Sequence, residues 1–121
     1  MGTTALLLIA HGSRHEDANA DLEHVADGLR ARGFALVQPA YLELAEPNVE
    51  DGGVRCVEGG AGMVILVPYF LSAGVHVQED LAEARDRLAA RFPGVRFVLA
   101  EPLGRHPLLL DVVEQRAREV E

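Results

Sequence analysis

The chain switches repeatedly between two hydrophobic patterns. Ala5–Ala10, "ALLLIA", is an unbroken apolar run of the kind found in strands buried on both faces. Ala18, Leu22, Val25, Ala26 and Leu29 then recur at spacings of three and four, which predicts a helix stopped by Gly33. Phe34–Tyr41 predicts a second strand, and Pro39 inside it cannot donate to a ladder, so this strand belongs at a sheet edge. Pro47 and Asn48 open a helix through Val49, Val54 and Val57. Gly52 and Gly53 within it each cost about 1 kcal/mol relative to alanine, which puts its rigidity in question. "MVILVPYF", Met63–Phe70, is the most hydrophobic segment and predicts a central strand ending near Pro68. Val77, Leu81, Ala84 and Leu88 share one face of a third helix, which "FPG" ends. Val95–Ala100 predicts a fourth strand, and Leu109, Val112, Val113, Ala117 and Val120 mark a last helix.

Strands separated by helices imply an α/β domain with a parallel sheet and helices on both faces. A three-layer, four-stranded sheet of order 2-1-3-4, flavodoxin-like in arrangement, agrees with an edge position for the strand holding Pro39. The 121 residues suit one domain, residues 1–121. In such sheets ligands bind beyond the carboxyl ends of the strands, where the strand order reverses. His11 follows the first strand directly, Glu43 stands just beyond the second, and His76 closes the loop after the third. Topology gathers at one edge what the sequence keeps apart.

Composition removes several chemistries. The net charge of −8 lacks the basic footprint of a nucleic-acid partner. Every basic residue is arginine, so no lysine is present for a Walker-type phosphate loop or a Schiff base. Cys56 is the single cysteine, which excludes an internal disulfide and a cysteine-rich zinc site. No apolar run approaches the ~20 residues of a membrane span, and no secretory pattern opens the chain, so a cytoplasmic location is expected. "HGSR" reverses the Arg-His-Gly order of phosphohistidine enzymes. No Gly-x-Ser-x-Gly elbow occurs, and "AHGSRHEDAN" lacks the spacing of a dinucleotide fingerprint.

The remaining polar residues divide by neighbourhood. His11 either fills a turn or acts as a ligand or base; Gly12 permits close backbone approach, and Ser13 and Arg14 offer donors at a helix mouth. His76 sits on the small-residue loop "SAGVH" at a helix start, and neutral imidazole is the commonest metal ligand among side chains. Either Glu43 or Glu46 of "YLELAEPN" is a working carboxylate or a solvated one. His15 and His24 read as surface residues, and His106, before Pro107, as a cap. Arg14 and Arg105 either bind carboxylates or meet water. Tyr69 and Phe70 form an apolar wall for a flat ligand or simply cover the sheet end.

"LLLIAHGSR", "AYLELAEPN", "VPYFLSAGVHVQEDL" and "EPLGRHPLL", in this order and at these spacings, resemble the small CbiX/SirB-type class II tetrapyrrole chelatases across nearly the whole chain. The resemblance implies a chelatase-like half-domain working as a homodimer. It also implies ATP-independent insertion of cobalt or iron, with nickel also compatible, into sirohydrochlorin on routes to cobalamin or siroheme. The family's two active-site histidines map onto His11 and His76, which would hold the metal and take protons, and its loop carboxylate maps onto Glu43. Ser13, Arg14 and Ser72 are the candidate donors to the polycarboxylate substrate. No cofactor is implied beyond the substrate ion, Co²⁺ or Fe²⁺. Two other classes use the same residues: a non-catalytic metal or tetrapyrrole carrier, and a flavodoxin-like binding domain with structural histidines.

Overall fold

The computed structural model describes residues 2–121. Strands β1 (Thr3–Ala10), β2 (Leu36–Tyr41), β3 (Ala61–Pro68) and β4 (Arg96–Leu99) alternate with helices α1 (Glu16–Ala31), α2 (Val49–Glu58), α3 (Val75–Arg91) and α4 (Pro107–Arg118). The four strands form one parallel sheet of order β2-β1-β3-β4. Pro39 lies opposite Leu8 on β2, the edge strand beside β1 among the described residues, so its missing N–H interrupts no inner ladder. Phe34, expected to begin this strand, instead lies in the exposed turn after Gly33, whose φ of 105° suits glycine.

The continuous apolar run of β1 has the expected cause. Leu7 and Ile9 face one core cluster, while Leu6 and Leu8 face the other, so both faces of this inner strand are dry. The first cluster joins Val49 and Cys56 of α2 to Leu81, Ala84 and Leu88 of α3. Burial pushes the Cys56 thiol up to about 11, leaving it a small apolar filler. In the second cluster Leu22 and Ala26 of α1 pack on Val37 and Tyr41.

The paired glycines of α2 prove to be packing positions rather than weak points. A Cβ at Gly52 would meet Leu7 Cδ1 at 2.8 Å and Ala40 Cβ at 2.9 Å, and one at Gly53 would meet Leu88 Cδ1 at 2.5 Å. Their bare backbone lets α2 lie close to both the sheet and α3. Asn48 supplies the N-cap, its side chain accepting from the Asp51 N–H at 2.8 Å.

α4 departs from expectation. Its apolar residues do mark a helix, but none of its residues is buried, and it packs closely against no other element among the described residues. The connector before it is tied to the β3 loop instead: Leu103 N–H donates to Phe70 O at 3.1 Å, and Gly104 sits where any Cβ would collide with the Leu71 carbonyl. Periodicity told of an apolar partner for this helix, not of which one. No helix among the described residues is long and apolar enough to cross a membrane.

Candidate functional site

The carboxyl edge of the sheet is built by hydrogen bonds that continue past the strands. Leu42 N–H donates to Ala10 O and Glu43 N–H to His11 O, each at 3.0 Å, so the β1 and β2 exits run side by side. Gly12, at φ 97°, lies so close to the Glu43 carbonyl that no side chain fits between them. His11 and Glu43, far apart in sequence, are thereby held together. From the other side Tyr69 N–H donates to Ile9 O at 2.6 Å, which brings the β3 exit alongside, and the Phe70 ring lies 4.7 Å from the His11 ring at 35°.

The loop that carries His11 is pinned from behind. Asn19 accepts from Ser13 N–H at 3.0 Å and donates to Ser13 O at 2.8 Å through its side chain. Tyr41 donates its hydroxyl to Asn19 O at 3.1 Å, and burial, then the Glu23 charge, raises the pKa of that phenol, so it remains a donor. Ser13 Oγ accepts from His15 N–H at 3.0 Å, which orders the entrance to α1 and leaves its own O–H free to donate outward. On the β2 side Leu44 holds φ 63° with its side chain 54% exposed, an unfavourable conformation for a branched residue that the surrounding loop imposes.

His11 and Glu43 open into a cleft of about 600 Å³ between α2 and α3. Glu50 from α2 and Asp80 and Glu83 from α3 line it with them, and Arg87 donates from Nε to Glu50 Oε1 at 3.0 Å. Four carboxylates against one guanidinium make this cleft attractive to cations. Sequence reasoning passed over Glu50, Asp80 and Glu83. A signal existed for Asp80: the spacing that turns Val77, Leu81 and Ala84 inward places Asp80 and Arg87 on the same stripe of α3.

The other candidates are distributed around this centre. His76 is exposed in the first turn of α3, next to Val77, which lines the cleft, but His76 itself does not line it. Among the described residues no three His, Cys, Asp or Glu side chains stand close enough together to form a ready metal cage. Glu43 lines the cleft and Glu46 does not. Arg14 and Ser72 are exposed in the loops after β1 and β3. His106 caps α4, its Nδ1 accepting from Leu108 N–H at 3.2 Å, and His15 and His24 are at the surface. Leu44, Tyr69, Leu71 and Val75 also lie exposed in the loops and helix start beyond the strand ends, giving the polar edge an apolar surround.

Fold and site together define a doubly wound α/β protein with an imidazole–carboxylate cleft beyond its strand ends. More particularly, the CbiX family model matches residues 5–120, and the chain belongs to that family. It is 38% identical over 112 residues to the chloroplastic sirohydrochlorin ferrochelatase of Arabidopsis thaliana, covering 92% of this chain and 50% of that protein. It is 28% identical over 114 residues to the sirohydrochlorin cobaltochelatase of Sulfolobus acidocaldarius, covering 94% and 89% respectively. The sirohydrochlorin chelatase SirB of Bacillus subtilis subspecies spizizenii, solved in complex with cobalt, superposes with a TM-score of 0.86 at 29% identity, over 98% of this chain and 51% of that one. The chain thus spans about half the length of the first curated relatives it matches.

Proposed function

We propose that this chain inserts a divalent metal, cobalt or iron with nickel also compatible, into sirohydrochlorin, in siroheme or cobalamin biosynthesis. The observation that carries the reading is the locking of His11 against Glu43 by Gly12 at the mouth of an acidic cleft. The names of its relatives, ferrochelatases and cobaltochelatases of sirohydrochlorin, point the same way.

Metallation requires two pyrrole N–H protons to leave as M²⁺ arrives; four ring nitrogens then bind the ion, and the protons pass to nearby bases and on to water. His11 and His76 present the ion and accept protons, and Glu43 assists. Glu43 is favoured over Glu46 because only Glu43 lines the cleft. Nitrogen and oxygen donors suit cobalt, iron and nickel alike. The acidic cleft supplies the cation, whereas the substrate's carboxylates are repelled by it and approach from the open edge. There Ser13, Arg14 and Ser72 offer donors, and Leu44, Tyr69, Leu71 and Val75 offer apolar surface to a flat ring. No nucleotide takes part in this scheme, in keeping with a chain that has no lysine for a phosphate loop. A second copy facing the open edge would enclose the macrocycle.

The test follows absorbance anaerobically after mixing protein, sirohydrochlorin and Co²⁺ or Fe²⁺. Wild type is expected to exceed the spontaneous rate, and His11→Ala to lose about 10²-fold or more of that enhancement. Equal rates with and without protein would end the proposal, and stoichiometric binding without turnover would make the protein a carrier.

A further inference from the structure

No side-chain hydrogen bond or ion pair holds the His11 imidazole among the described residues. His106 shows the ordinary device, its Nδ1 accepting from Leu108 N–H. Histidines that bind metals usually commit their second nitrogen to a carboxylate, a carbonyl or water, and that partner sets the angle of the ring. Without such a partner, rotation about the bond to the ring is broad. What His11 has instead is another ring. Phe70 lies 4.7 Å away, centroid to centroid, and is tilted at 35°, within the range where aromatic rings attract one another.

Phe70 is itself anchored. Tyr69 N–H donates to Ile9 O at 2.6 Å and Phe70 O accepts from Leu103 N–H at 3.1 Å, which ties the backbone to β1 on one side and to the α4 connector on the other. The half-buried side chain packs against the core cluster shared by α2 and α3. The loop that Phe70 enters runs on to His76, and Gly104 presses on that loop at the Leu71 carbonyl. One ring therefore joins His11, at the β1 exit, to the segment that carries His76.

We propose that Phe70 is a positioning residue for metal insertion: the contact of its ring, in place of a hydrogen bond, sets the angle of the His11 imidazole and couples it to the β3–α3 loop. The inference rests on the reading of His11 as a metal ligand and base. It gives Phe70 its effect through His11, not as a wall against the macrocycle. Outer partners of metal-bound histidines are worth about 10- to 100-fold in metal affinity, which sets the size of the effect.

The test titrates Co²⁺ into the protein without sirohydrochlorin, followed by the visible absorption of the bound ion. Phe70→Leu is expected to weaken binding by about 10-fold, and Phe70→Tyr, which keeps the ring, to restore it. Leu99→Ala is the control, since Leu99 packs on the same cluster from β4, two strands from β1. It is expected to lower the thermal midpoint and leave Co²⁺ affinity unchanged. In turnover, Phe70→Leu is expected to raise KM for Co²⁺ and not KM for sirohydrochlorin. In the His11→Ala background, Phe70→Leu is expected to change Co²⁺ affinity no further. Should circular dichroism show Phe70→Leu unfolded, Phe70→Met, which refills the space with a flexible chain, takes its place. Unchanged Co²⁺ affinity in Phe70→Leu, beside a loss in His11→Ala, overturns the positioning role while leaving His11 a ligand. A raised KM for sirohydrochlorin alone overturns it too and makes the ring a wall for the substrate. So does a further loss of affinity in the His11→Ala background. If His11→Ala itself binds Co²⁺ as the wild type does, the reading of His11 falls, and the role of Phe70 with it.

Discussion

The two faces of the sheet are finished to different degrees. On one, α2 and α3 close over β1 and β3 so tightly that Gly52 and Gly53 have no room for a methyl group, and the acidic cleft opens between these helices. On the other, α1 covers β1 and β2, but half-buried Met63 and Val98 belong to neither core cluster, and α4 packs closely against no other element among the described residues. The difference separates two uses of apolar surface. Where the chain can close its own core, it uses that rigidity to fix a polar site. Where it leaves a face open, apolar side chains such as Val113 and Val120 of the C-terminal segment stay at the surface.

Substitutions on the two faces sharpen this contrast. Leu88→Ala, on the closed face and fully buried, is expected to cost about 2–5 kcal/mol in urea unfolding. Gly53→Ala, which forces a methyl into Leu88, is expected to cost about 1–3 kcal/mol. Val113→Ala, at an exposed position of α4, is expected to change stability by no more than about 0.5 kcal/mol. A loss at Val113 equal to that at Leu88 would mean that α4 is part of the core of each single chain, and the contrast would collapse.

Much of the fold was legible because buried strands and amphipathic helices leave different periods. Ala5–Ala10 needed no structure to be read as an inner strand, and Pro39 alone assigned β2 to the edge. Once the order 2-1-3-4 was inferred, the convergence of His11 and Glu43 on one edge followed from topology. What stayed hidden was contact. Gly52 and Gly53 read as weak points because propensity is local, whereas their packing against Leu7, Ala40 and Leu88 is tertiary. Glu50, Asp80 and Glu83 were passed over because charge at a helix surface says nothing of the cleft it borders. The α4 stripe announced burial without its address. His106, read as a cap from its place before Pro107, is one.

The proposed function requires His11 and His76 to bind one metal ion at the edge where the Glu43 backbone is held against His11. X-ray absorption at the cobalt edge, on protein loaded with one equivalent of Co²⁺, reads this directly through the outer-ring scattering of coordinated imidazole. Two imidazoles are expected in the wild type and one in either His11→Ala or His76→Ala. A spectrum unaltered by both substitutions would contradict the claim.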